Sequence, residues 1–377
     1  MPVNSNATVM IGSSVGESLR DAALARAAVL GLPTTAAEDW RYVNVNALKT
    51  PLITRSGSGA AVAGTMAVID GHLFPEPMGT VPSISDSAVV EEMARLAAEQ
   101  EAPACWSWLG QQHQLRVQGL QRLTIDHHTF SGQSGWRLLI TIAPMSELDL
   151  IIIHRSAEST CASVGIVVRL GIGAHLRVSE VVPQAAGQLF MHVDAQVERD
   201  ASMTWTSTSR GGELVRWRGV VDLIGQGAHA NIGAVDRVGA KYQAHRHLRI
   251  RHRVGPTTST QLFKTVLSDH AIASFDGLVD VAKGADGANA EQLSRTLLLS
   301  PTARGDTRPQ LDIHADEVKA GHGATIGQLD ADELLYLRMR GLDLATANGL
   351  LIDGFVREVI ARLPHPQARA LVEGSTP

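Results

Sequence analysis

The sequence predicts a mainly β protein: a long middle of short strands with helices at either end. Three observations predict it. Aromatic residues make up 4% of 377, against 35 glycines and 15 prolines, a balance that suits strands joined by turns better than a helical bundle. From about Leu115 to Asp312, runs such as Arg137–Ile142, Ile166–Leu170 and Met203–Thr208 alternate with period two, each bounded by Gly, Asp, Asn or Ser. Corners of one kind also recur, at Gly173-Ala174-His175, Gly227-Ala228-His229, Gly239-Ala240-Lys241 and Gly287-Ala288-Asn289. No long helix-period segment interrupts them, so parallel βα units are not expected. A sandwich, a barrel and a β-solenoid remain open. Repeated corners without Asn-Gly hairpin signals favour the solenoid.

Three regions follow: a helical part over 1–110, strands over 111–327, and helices over 328–377. In the first, Ser14 and Glu17 form a capping box, each side chain satisfying an orphan backbone donor near the other. Leu19, Ala23, Leu24, Ala27 and Leu30 then share one stripe, which Gly31 and Pro33 stop. A second helix is expected from about Ser87 to Gln100, ended by Pro103. In the last region Asp330 and Glu333 form another capping box, and Leu334, Leu335, Leu337 and Met339 supply an apolar face up to Gly341. Asp343 caps a final helix through Leu350, Leu351, Phe355, Val359 and Ile360, closed by Pro364. Such an αα-hairpin has more apolar positions than it can bury alone. Leu351 and Phe355 are therefore expected to meet a partner.

Composition excludes several functions. The formal charge of −5 provides no field for nucleic acid or anionic lipid. Apolar residues at 44% against 19% charged exclude global disorder. Cys105 and Cys161 form no CxxC pair, which rules out a disulfide scaffold and a four-thiolate metal site from this chain alone. The N-terminal stretch has no basic residue before Arg20 and no unbroken apolar run, unlike a secretory signal. The longest central apolar run, Leu150–Ile153, is far short of a membrane span. A soluble, cytoplasmic protein is expected.

Catalytic signatures are missing. None of Lys49, Lys241, Lys264, Lys283 or Lys319 follows a glycine, so there is no Walker A loop, and HExxH and GxGxxG are absent. Gly12-Ser13-Ser14-Val15-Gly16 matches GxSxG, but no strand precedes it and Ser14 serves better as a cap. Of fifteen histidines, His245, His247 and His252 are the densest group. In a strand, His245, His247, Arg249 and Arg251 share one face while Leu248 and Ile250 take the other. The flanking arginines repel a cation, so a solvated or interface-facing surface is the expectation. The same holds for His127-His128, which cannot share a face. His322 sits between Gly321 and Gly323, where the imidazole is accessible and the spacing reads as a turn.

The segment from Gln292 to Asp343 is where the chain becomes recognisable. It holds R-T-L-L-L-S at Arg295–Ser300, D-T-R-P-Q-L-D-I at Asp306–Ile313, A-D-E-V-K-A-G-H-G-A-T-I-G-Q-L-D at Ala315–Asp330, and Y-L-R-M-R-G at Tyr336–Gly341. In that order these motifs resemble the SufB/SufD family of the SUF iron–sulfur cluster assembly system. Gly219–Asp236 and His247–Lys264 look like the family's core. P-T-T-A-A-E-D-W-R-Y at Pro33–Tyr42 resembles the SufD opening, and the short N-terminal part favours SufD over SufB. The resemblance covers roughly residues 15–363.

The resemblance implies a right-handed parallel β-helix core flanked by helical N- and C-terminal domains. It implies a non-catalytic scaffold subunit pairing with a SufB-like protein through the β-helices, a homodimer being the other arrangement left open. A SufC-like ATPase would bind the C-terminal helical domain. The family's K-C-x-H-G segment falls on Lys319–Gly323, which puts His322 at the nascent iron–sulfur cluster, a transient group shared with the partner. Ala320 stands where many relatives have Cys, so thiolates, the natural iron ligands, must come from that partner. A second class of function stands beside it: a β-helix carbohydrate-active enzyme of the polysaccharide lyase type. Its carboxylates would be Asp194, Glu198 and Asp200 on one strand face.

Overall fold

The computed structural model describes residues 29, 34–45, 65–69, 72–74, 107, 111–129, 133–157, 160–183 and 185–373. Apart from Val29, the two helices expected before residue 101 lie outside the described residues, as do Cys105 and the Gly12–Gly16 motif. The described residues of the N-terminal region do not support a helical domain, although Val29 is helical. They hold a 3-10 turn, Glu38–Trp40, and a hairpin of β1 (Thr65–Ile69) and β2 (His72–Phe74). The sequence signal for that hairpin is Asp70-Gly71 between two apolar runs.

The middle of the chain is a parallel β-solenoid of about seven turns. One sheet holds β3 (Gln111–Val117), β5 (Gln133–Ile142), β7 (Cys161–Leu170), β9 (Ala185–Val197), β11 (Gly212–Leu223), β13 (Gln243–His252), β15 (Ile272–Val281) and β17 (Arg304–Ile313). The other holds β4 (Leu120–Thr129), β6 (Glu147–Ser156), β8 (His175–Val182), β10 (Ser202–Ser209), β12 (His229–Val238), β14 (Thr258–Leu267), β16 (Ala288–Leu298) and β18 (Val318–Gly327). Each strand pairs in parallel with the second strand along the chain, so two strands make one turn.

The repeated corners explain the stacking. Met145, Gly173, Asp200, Gly227 and Gly287 all have φ between 57° and 78°, the left-handed region that glycine enters without a Cβ clash. A small buried residue follows each: Ser146, Ala174, Ala201, Ala228 and Ala288. The left-handed amides donate to the next rung's corner, as in Gly173 N to Arg199 O (2.8 Å), Asp200 N to Gln226 O (2.9 Å) and Gly227 N to Pro256 O (2.8 Å). At the third expected corner, Gly239-Ala240-Lys241, it is Ala240, φ 53°, that is left-handed, one residue after the glycine.

Register turns strands into columns. Leu123, Leu150, Val178, Trp205 and Ile232 occupy one inward column and are buried. Each such side chain contributes about 1.5–3 kcal/mol through its removal from water. The two ends of the solenoid differ. At the first rung β1 pairs antiparallel with β4, and no described strand pairs with the outer edge of β3. At the other end β17 and β18 are each held by the preceding strand of their sheet, and no further described strand pairs with them.

Three helices follow: α1 (Ala331–Met339), α2 (Leu344–Ile360) and α3 (Pro366–Glu373). Asp330 caps α1 by accepting from the amides of Asp332 (2.8 Å) and Glu333 (3.1 Å), and Asp343 caps α2 by accepting from Thr346 N (2.8 Å). Gly341, φ 93°, separates them. Val356, Val359, Ile360 and Leu363 lie buried against Val235, Leu262, Val266 and Leu297 of the solenoid's outer face. Helix α3 buries Ala368 against Ile151, Ile153 and Val181.

Candidate functional site

His322 lies in strand β18, not in a turn. Its register partner is Gln292 of β16, whose partner in turn is Gln261 of β14. These continue the inward column that begins at Leu123, so the imidazole has the phase of an interior side chain. It is nevertheless exposed, because no described strand stacks on the last rung. Ile326 (43% exposed) and Ile313 (40%) show the same thing at inward-phased apolar positions. The end of the solenoid is an open cross-section with a histidine at its mouth. Beneath it Gln292 and Gln261 are 2% and 1% exposed, and Gln292 Nε2 donates to Gln261 Oε1 at 2.8 Å. Gln292 Oε1 and Gln261 Nε2 find no hydrogen-bond partner.

Further inside runs a polar seam. His127 Nδ1 and His154 Nδ1 are 3.4 Å apart, His154 Nε2 is 3.2 Å from Glu180 Oε1, and Trp205 Nε1 donates to Glu180 Oε2 at 3.1 Å. Burial, then the neighbouring His154 and His128, push the His127 pKa well below the ordinary histidine value. One rung on, Arg246 forks onto Asp236 at 3.0 and 2.7 Å, both nearly inaccessible. The two charges of the Arg246–Asp236 pair match each other, which is what makes burying them tolerable.

The outer face of the odd-numbered sheet carries His245 and His247 of β13. Of the two expectations for this face, solvated or interface-facing, the first does not hold: the N-terminal segment covers it. The Glu38–Trp40 turn lies on it. Trp40 packs against Phe190 (centroids 6.3 Å) and under the Arg216 guanidinium (4.3 Å). Asp39 faces His247 Nε2 and Arg249, each at 3.6 Å, and Glu38 pairs with Arg308. His245 bonds to Ser274 Oγ through Nδ1 at 2.8 Å, and burial together with Arg216 and Arg304 pushes its pKa down to about 3. Among the described residues one group could offer three metal-ligand atoms within reach of each other: Asp39, His247 and Asp276. Its carboxylates are already engaged. Asp276 accepts from Arg308 (2.6 Å) and Gln310 (3.4 Å), and Arg249 faces Asp39. This is an ion-pair clasp that fastens the N-terminal segment.

The remaining expected residues are placed as follows. Phe355 is half-buried against the solenoid, with Lys264 Nζ 5.1 Å from its ring centroid and 2.7 Å from its carbonyl oxygen, and Leu351 is half-buried. The exposed apolar side chains near the C-terminus are instead Leu335, Tyr336, Met339, Leu344 and Leu350. Asp194, Glu198 and Asp200 do not gather as a lyase site would need. Asp194 is buried in β9 beside Arg218 (3.7 Å), while Glu198 and Asp200 lie in the following corner, Asp200 being its left-handed residue. Sequence reading missed Gln292, Gln261, Glu180 and the Asp39 clasp. The columns that join them follow from counting three residues past each corner's last residue, from His229 to Ile232 and from Asn289 to Gln292.

The last described rung of the solenoid thus leaves its inward column open, with His322 exposed there. Residues 127–355, more than half the chain, match the family model described as SUF system FeS cluster assembly, SufBD core domain. The chain belongs to the SufB/SufD family, and among its relatives are proteins named SufD. It is 33% identical over 174 residues to the iron–sulfur cluster assembly protein SufD of Escherichia coli, covering 46% of this chain and 41% of that one. Over 99 residues it is 46% identical to SufD of Bacillus subtilis (26% and 23% covered). Over 120 residues it is 47% identical to an iron–sulfur cluster assembly SufBD family protein of Synechocystis (32% and 26% covered). The aligned segments thus span between about a quarter and two fifths of these relatives. Among the described residues no helix is long and apolar enough to cross a membrane.

Proposed function

We propose that this chain is a non-catalytic scaffold subunit in iron–sulfur cluster assembly. Its open solenoid end would join a SufB-like subunit, and a nascent cluster would form between them as cargo. The observation that carries the reading is the last rung. Inward-phased His322, Ile326 and Ile313 are exposed there, and β17 and β18 present unpaired edges, which are templates for another strand-bearing chain. His322 offers an imidazole, a competent iron ligand when neutral. Ala320, also inward-phased, withholds a thiolate, so the partner supplies sulfur ligands. The exposed apolar residues of α1 and the start of α2 form a second surface, suited to a SufC-like ATPase.

His322→Ala tests the ligand role. The substitution removes an exposed ring and leaves folding intact, while the visible charge-transfer absorption of the complex, reconstituted with its SufB-like partner, iron and sulfide, falls several-fold. Equal absorption from mutant and wild type would show that His322 contributes nothing to the cluster.

A further inference from the structure

We propose that Gln292 positions His322, fixing which ring nitrogen carries the proton and turning the bare nitrogen outward. This rests on the reading of His322 as a ligand and adds the group that aims it. The two residues are register neighbours on adjacent parallel strands with the same inward phase, about 4.8 Å apart along the stack. Side-chain amides in such a column form a ladder in which each N–H donates to one neighbour and each oxygen faces the other. Gln292 Nε2 already donates to Gln261 Oε1 at 2.8 Å on the side away from the mouth. That leaves Gln292 Oε1 for the mouth side, where His322 is next in the column. This oxygen is buried and accepts nothing, a costly condition unless a donor reaches it. The amide is held in place from across the interior: Gly277 of β15 leaves the space that Gln292 Nε2 occupies, and a Cβ there would collide with it.

A neutral imidazole has one N–H and one lone pair. With the N–H given to Gln292, the lone pair belongs to the other nitrogen, which faces past the last rung. Partners of this kind orient metal-bound histidines and, when lost, weaken metal binding about 10–100-fold.

The test reads the ring of His322 on the full chain without metal or partner, by long-range proton–nitrogen correlation above pH 8, the signal being assigned by its loss in His322→Ala. The tautomer ratio should be displaced about fivefold from that of free histidine, the worth of one ordinary hydrogen bond. Gln292→Met, close in shape and without the amide, should restore the free ratio. A free-histidine ratio in the wild type overturns the proposal, and so does a displaced ratio that survives Gln292→Met. Should that variant not fold, the wild-type ratio alone decides. Because no cluster is involved, this result is independent of the cluster assay on His322→Ala.

Discussion

Burial has made several histidines into acid-sensitive parts of the fold. His245 is pushed down to about 3, and burial pushes His252, held between Thr257 Oγ1 (2.7 Å) and Ser259 Oγ (2.9 Å), down to about 4. Both stay neutral in the folded chain at pH 5, whereas in the unfolded chain histidine takes a proton below about 6.5. The unfolded state therefore binds more protons, and stability present above pH 6.5 is lost as pH falls toward 4. Each such histidine costs about 2 kcal/mol at pH 5. His245→Gln should flatten the fall in urea midpoint between pH 7.5 and 5, and an unchanged slope would refute the assignment. The depressed carboxylates Asp149 and Asp276 act lower: their protonation removes stability at pH below about 4. The sequence showed the alternation that separates His245 and His247 from Leu248. It did not show that the Glu38–Trp40 turn, some two hundred residues earlier, would lie on this face with Asp39 against His247, since no local pattern encodes a contact at that distance.

Among the elements, α2 departs most from its expected use. Its apolar stripe was readable, as were its Asp343 cap and the Gly341 break, but the surface it meets was not. Val356 and Val359 find Val235 and Leu262, which themselves sit on outward-facing strand positions that alternation alone assigns to solvent. A stripe that looked available to a partner is thus used within the chain, and the surplus lies on α1 and the start of α2. Met339 is 70% exposed and Leu335 54%. Met339→Asp should therefore release a SufC-like ATPase from the complex without lowering the melting temperature. Phe355→Asp should lower it, because Phe355 packs on the solenoid beside Lys264. An ATPase retained by Met339→Asp in a pull-down would remove this surface from consideration. The Asp70-Gly71 hairpin shows the opposite case: a strong local signal inside a stretch whose general texture read as helical.

At the scale of the whole molecule, the solenoid was legible because its corners repeat. Gly173, Gly227 and Gly287 need left-handed backbone, and the small residue after each fits only where rungs stack closely. Asp200 and Met145 occupy the same corner without a glycine, so the period was only partly visible. The asymmetry of the ends was not visible at all, since it depends on which strand pairs with which. That asymmetry carries the functional reading: β1 lies on β4 of the first rung, while the last rung presents β17, β18 and His322 with no described strand beyond them. Amide hydrogen exchange of the chain alone and mixed with a SufB-like subunit tests this directly, because unpaired edge strands exchange by local opening. Exchange at Arg304–Ile313 and Val318–Gly327 should slow at least tenfold in the mixture while the first rung is unaffected. Unchanged exchange in those two strands, with slowing at another surface, would contradict the open end as the joining face.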